Sequence, residues 1–284
     1  MPRLPKQYAR RIEQSARRLK GRTIILWIVG IAVASVVTYT YYQVPGYFHA
    51  YFYKHETFRD CPDCPELVVV PAGSFMMGSE DGAPDERPAR HVTIDYDLAV
   101  GIFEVTQANW YAIMGTRPSR YREDDLPVDR VSWYDAQAFV TALSVKTGQT
   151  YRLLSEVEWE YMARGGTTTQ WVCGSDVNCV NLYGWHAGNS YTNNPVGQKI
   201  PNDFGIYDTH GNVWEWVEDC YQFGYDDAPI DGAVRPQAVG ELCERAMRGG
   251  STYTIPWKMR SPVRFRNLPE RKFLNLGFRV AREM

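Results

Sequence analysis

Residues 23–42, TIILWIVGIAVASVVTYTYY, carry no charged side chain, no proline and one glycine. Twenty helical residues rising about 1.5 Å each span roughly 30 Å, the hydrocarbon thickness of a bilayer. A core helix of a globular domain is rarely apolar on every face, so the run reads as a transmembrane helix. A cleaved signal peptide has a shorter apolar stretch and a small-residue cleavage site. This run instead ends in Tyr39, Tyr41, Tyr42 and Gln43, the aromatic belt of an uncleaved anchor. Residues 1–22 hold eight Lys and Arg against the single acid Glu13. The positive-inside bias keeps this basic head cytoplasmic and sends the C-terminal part across the membrane. The expected location is the inner (cytoplasmic) membrane, single-pass, with a periplasmic C-terminal domain.

The head also hides the character of the rest. The formal charge of the chain is −2, yet the part beyond residue 22 is distinctly acidic. That argues against a nucleic-acid partner, since neutralising phosphates needs clustered positive charge. With 44% apolar and 23% charged residues, wholesale disorder is excluded. Residues 43–64 form an aromatic linker, with Tyr47, Phe48, Tyr51, Phe52 and Tyr53. They suit a collar at the headgroup level, a docking surface for a membrane partner, or an aromatic element packed on the domain.

All six cysteines lie beyond the anchor: Cys61, Cys64, Cys173, Cys179, Cys220 and Cys243. Local spacing suggests the pairs 61–64, 173–179 and 220–243, as an oxidising compartment permits. Cys61-Pro62-Asp63-Cys64 favours a structural disulfide over a redox or metal motif. It precedes the strand-like LVVV instead of opening a helix, no His follows it, and no further ligands stand in register.

Residues 65–284 suffice for one sizeable core. Leu67–Val70 reads as a buried strand, continued over 75–78, followed by a polar loop over 78–90. Residues 91–98 and 101–106 also read as strands. Helices are expected from Thr106 to Met114, from Ser132 to about Gly148, and from Ser155 to the Gly165-Gly166 stop, each opened by a capping residue. Beyond 165 the periodicity fades into a loop-rich half. Trp133, Trp159, Trp214 and Trp216 are expected in the core. Arg248, Arg260, Arg264, Arg266 and Arg279 are expected to pair internally with acids such as Glu158, Glu160 and Glu215; the sharper alternative is an anion-binding cleft.

Five ordered motifs then resemble one family. Pro71-Ala72-Gly73-Ser74-Phe75-Met76-Met77-Gly78-Ser79, Pro127-Val128 with Val131-Ser132-Trp133-Tyr134-Asp135-Ala136, and Arg152-Leu153 through Glu156, Glu158-Trp159-Glu160-Tyr161 and Ala163-Arg164 are the first three. Gly205-Ile206-Tyr207-Asp208 through Gly211-Asn212-Val213-Trp214-Glu215-Trp216, then Arg248-Gly249-Gly250-Ser251 with Gly277-Phe278-Arg279, complete the set. They are similar to the formylglycine-generating enzyme (sulfatase-modifying factor) family. The resemblance implies an α+β, loop-rich fold like that of a C-type lectin.

Family fold does not hand over family chemistry. The formylglycine-generating members use two cysteines shortly after the RGGS motif to bind copper and activate oxygen. Here no cysteine follows Cys243, and Met259 is a lone thioether. Cu(I) needs soft thiolates, so no copper and no formylglycine generation are expected, and no catalytic residue is assigned. The pocket candidates are Trp214, Ser251 and Arg260. The resemblance implies a structural Ca²⁺ held by the carboxylates of Asp208 and Glu215 and the carbonyls of Gly211 and Val213, hard oxygen donors of the right kind; the alternative is a salt-bridged or capping carboxylate pair. A second calcium site of the family matches only at Asn189 and Ser190. No phosphate loop, G-x-S-x-G elbow or H-x-x-x-H pair occurs. The expected function is a membrane-anchored accessory or binding protein with a protein partner in an envelope complex. The alternative is a cysteine-independent oxidative maturation enzyme acting on a peptide or peptide-derived natural product.

Overall fold

The three helices open on the capping residues expected of them. Helix α1 (Gln107–Met114) is capped by Thr106, α2 (Trp133–Thr147) by Ser132 and α3 (Glu156–Arg164) by Ser155. In each, the cap side chain accepts the N3 amide and the N3 side chain reaches back to the cap amide, which satisfies two otherwise orphaned donors. All three end on glycine in the left-handed region, Gly115, Gly148 and Gly165, where a Cβ would be strained. A single-turn α4 (Val180–Tyr183) follows.

This computed structural model describes residues 55–237, 240 and 242–284. The basic head, the apolar run 23–42 and the aromatic cluster 47–53 lie outside the described residues. Among the described residues no helix is long and apolar enough to cross a membrane.

The strands are β1 (Thr57–Phe58), β2 (Leu67–Val70), β3 (Gly73–Met77), β4 (Arg90–Ile94), β5 (Leu98–Gly101), β6 (Tyr151–Leu153), β7 (Gly184–Trp185), β8 (His210–Gly211), β9 (Trp214–Cys220), β10 (Arg245–Arg248), β11 (Phe265–Asn267), β12 (Leu276–Phe278) and β13 (Val280–Glu283). A five-stranded sheet runs β1-β2-β5-β13-β6, antiparallel throughout. A four-stranded sheet runs β11-β10-β9-β12, with β9 and β12 parallel. β3 with β4 and β7 with β8 form two small ribbons.

Three expectations change. Residues 57–64, assigned to the linker by sequence, belong to the domain: Thr57 pairs with Val68 and Phe58 with Leu67. The strand expected over 91–98 breaks between β4 and β5, where Asp97 turns its carboxylate onto the Ala72 amide at 2.8 Å. The strand expected over 101–106 ends at Gly101. Its remainder is irregular, anchored by the Ile102 amide on Glu66 O and the Val105 amide on Phe278 O. The loop-rich half also holds the seven-residue β9. Its acids Glu215 and Asp219 are buried, which erases the polar–apolar alternation that marks a half-buried strand.

The core has two main clusters. One gathers Val68, Ile94, Val157, Trp159 and Met162. The other gathers Trp110, Phe139, Leu143, Trp216 and Phe278, with Trp110 stacked on Phe139 at 5.5 Å. Trp133, Trp159 and Trp216 are buried, as expected, while Trp214 is half-buried. The cysteines pair as Cys61–Cys64, Cys173–Cys179 and Cys220–Cys243.

Candidate functional site

Four of the five C-terminal arginines singled out in the sequence, Arg248, Arg260, Arg264 and Arg279, point inward. Arg248 meets Glu160 at 2.6 Å and Glu156 at 3.0 Å, Arg264 meets Glu156 at 2.7 Å, and Arg279 meets Glu215 at 2.9 Å, all buried. A charge removed from water is tolerated when paired and hydrogen-bonded. Each carboxylate here has a guanidinium, which is the internal-pair reading. Of the five arginines singled out in the sequence, Arg266 is the exposed one, against Glu244 at 2.9 Å.

Arg260, one of the pocket candidates, is used in this way. Its Nη1 and Nη2 lie 2.9 and 2.8 Å from the Glu86 carboxylate, and Nη1 also reaches Gln170. The other two candidates come together. Trp214 donates its backbone N–H to Asn275 O at 2.8 Å, and Asn275 Nδ2 donates to Ser251 Oγ at 2.9 Å. Ser251 Oγ also receives the Tyr253 amide at 3.3 Å and shares a proton with Thr254 Oγ1 at 3.1 Å. These partners are two amides and a hydroxyl, none of them a base, so the serine is held as a structural hydroxyl. Nearby His210 is fully buried. Its Nδ1 faces Met259 O at 2.8 Å and its Nε2 accepts the Val172 amide at 3.0 Å. Burial pushes the imidazole down to about 4, so it is neutral with both nitrogens committed.

What this region offers to solvent is largely aromatic and aliphatic, with Lys258 beside it. The segment after Ser251 exposes Tyr253, Ile255 and Trp257 by 53%, 57% and 55%. Trp257 stands edge-on to the buried Trp171, with centroids 5.7 Å apart. Trp171, Val180 and Met259 form a third small core beneath it, with Cys173 packed against them.

The residues matching the calcium motif divide between two environments. Glu215 is saturated: Trp159 Nε1 donates to it at 2.8 Å and Arg279 at 2.9 Å. Asp208 is not. It sits in the left-handed region with φ 57° and accepts the Gly197 amide on Oδ2 at 2.7 Å, while Oδ1 is buried without a partner. The peptide of Gly211 is fixed by its N–H on Gly249 O at 2.9 Å. Sequence reasoning missed Glu104, fully buried with neither carboxylate oxygen bonded. Burial first, then the nearby Asp208 carboxylate, hold Glu104 well above the usual carboxylate range, against the opposing pull of Arg279. Burial likewise raises Asp208 to about 6.

Glu104, Asp208 and Glu215 thus face one buried guanidinium, Arg279, with Lys199 acting on Asp208 from the partly exposed side. Two protons or one divalent cation would neutralise the excess. The orphaned oxygens fit a hard cation, although no three carboxylates among the described residues converge as a ready-made cage. Backbone oxygens or water would complete such a shell. The one signal for Glu104 in the sequence was an acid inside the apolar stretch Gly101-Ile102-Phe103-Glu104-Val105.

Comparisons with known proteins agree with this architecture. The chaperone protein LppX of Paenibacillus barcinonensis is 30% identical over 56% of this chain and 71% of its own. The formylglycine-generating enzyme of Streptomyces coelicolor is 30% identical over 76% of this chain and 67% of its own. The solved structure of PvdO from Pseudomonas aeruginosa superposes with a TM-score of 0.74 at 33% identity, covering 81% of this chain and 99% of that one. The model of the sulfatase-modifying factor enzyme 1-like domain matches residues 53–284, and the chain belongs to that family.

Proposed function

We propose that this chain is a membrane-anchored accessory or binding protein whose domain holds a protein partner of an envelope complex through the segment following Ser251. The exposure of Tyr253, Ile255 and Trp257 on that segment carries the reading. Aromatic side chains on a braced loop supply contact area at low entropic cost. The tail offers no cysteine for a redox metal, and Ser251 has no base. A chaperone among the relatives supports an assembly role. The three disulfides support an oxidising compartment, and the run 23–42 supports an anchor in the inner membrane. In this reading a structural Ca²⁺ sits at Asp208 and Glu104 beside the backbone of Gly211 and Val213, and Glu215 braces Arg279.

The test is a detergent pull-down of the full chain with quantitative mass spectrometry, repeated for the double variant Tyr253→Ala/Trp257→Ala. A stoichiometric partner lost from the variant, with the melting temperature unchanged, is expected. Oxygen consumption with an aldehyde or other oxidised peptide product from partner-free protein would replace this reading by the oxidative maturation enzyme.

A further inference from the structure

A cleft of about 270 Å³ lies apart from the Ser251 segment, lined by Tyr96, Asp97, Leu98, Arg152, Glu283 and Met284. The break between β4 and β5, the middle of β6 and the end of β13 supply its walls. Tyr96 and Met284 give it apolar sides over the buried Leu98. Its one cation is already spent: Arg152 Nη1 and Nη2 clamp Glu158 at 2.6 and 2.7 Å, and Tyr96 Oη donates to the same carboxylate at 2.6 Å. Glu158 is fully buried behind them.

Two further carboxylates remain. Asp97 is oriented by the Ala72 amide on Oδ1, which leaves Oδ2 for a ligand. Glu283 is placed by its own amide on Thr150 O at 3.1 Å, and its Oε1 lies 3.5 Å from Arg152 Nε. Counting Arg152, Glu158, Asp97 and Glu283 together, the cleft carries a net charge of −2. An apolar-walled hollow with surplus negative charge suits an alkyl chain ending in a cation, and the Tyr96 ring adds a face that cations favour.

We propose that this cleft is a subsite for a basic side chain, lysine or arginine, of a polypeptide ligand, with the alkyl stem along Tyr96 and Met284 and the cationic head between Asp97 and Glu283. The site goes beyond the aromatic segment after Ser251 and does not depend on it.

The test uses the full chain in detergent and follows binding of n-hexylammonium, n-hexanol and Nα-acetyl-lysine methylamide by saturation-transfer NMR and calorimetry. Saturable binding of the two cations is expected, with hexanol at least about tenfold weaker. The double variant Asp97→Asn/Glu283→Gln should weaken the cations about tenfold and leave hexanol unchanged. Asp97→Asn keeps an oxygen for the Ala72 amide, so the fold is spared. Glu283→Lys, which brings its own cation to the cleft, should abolish binding at an unchanged melting temperature. Failure of the cations to saturate, equal binding of hexanol, or wild-type affinity in the double variant would each overturn the proposal.

Discussion

Arg279 holds Glu215 at 2.9 Å with both side chains buried, and spends its remaining donors on Gly101 O and Tyr207 O, each at 2.9 Å. One side chain thereby ties β9 to the end of β5 and to the stretch leading to Asp208. Removing one member of a buried pair strands the other, at a cost of about 3–5 kcal/mol. Arg279→Met should lose that much in urea denaturation. Arg279→Lys should lose less, since a lysine keeps the charge without the planar fork. The double variant Arg279→Met/Glu215→Gln should recover part of the loss. A single-variant cost below about 1 kcal/mol would contradict the role given to this pair.

Calcium can be read through stability. A cation held only by the folded state at a hundredfold over its Kd adds about 2.7 kcal/mol, or about 5–10 °C for a domain of this size. Chelation should lower the melting temperature by that amount. Glu104→Gln, which keeps the shape of the buried protonated carboxyl and cannot ionise, should be at least as stable as wild type in chelator and should gain nothing from added Ca²⁺. An unchanged wild-type melting temperature on chelation would remove the ion from the account.

Asp129 provides a pH signature. Burial pushes its carboxyl up to about 6. Its Oδ2 accepts Asn193 Nδ2 at 3.0 Å while Oδ1 has no partner. The folded state keeps a proton that the unfolded chain, with a carboxyl near 3.9, gives up. The stabilisation is therefore complete below about pH 4 and is lost as pH rises through 6. Asp129→Asn retains the acceptor for Asn193 and should flatten this fall. Urea midpoints measured from pH 4 to 7 should converge at the acid end and separate in favour of the variant above pH 6. Parallel curves would count against the assignment.

Ser155 caps α3 and also donates to Gly232 O at 2.7 Å. Ser155→Ala should cost about 1–2 kcal/mol. Ser155→Thr keeps the hydroxyl and should retain most of the stability, as equilibrium denaturation of both variants would show.

The helices were legible because their signals are local. A cap, an N3 partner and a terminal glycine lie within one short stretch, as Ser132, Asp135 and Gly148 do. The disulfides were legible for a similar reason, each joining neighbours in the cysteine order. What stayed hidden depends on distant partners. Arg248 meets Glu156 and Glu160 across about ninety positions, and Glu215 of β9 looks solvent-facing until Arg279 is placed against it. Glu104 was hard to pick out as a site residue because its burial and its neighbour Asp208, far along the chain, are set by the tertiary fold. The motif matching located Asp208 and Glu215 alike, but could not tell that Trp159 and Arg279 had already claimed the second.

The position of β13 has one more consequence. Among the described residues it follows every other strand in the sequence yet lies inside its sheet, between β5 and β6, and β6 has no other strand to pair with there. A growing polypeptide halted before residue 276 would carry two unjoined parts of that sheet and a stranded Glu215. The sheet can therefore be joined only after these segments have emerged, and fragments lacking them should be ready targets for quality-control proteases.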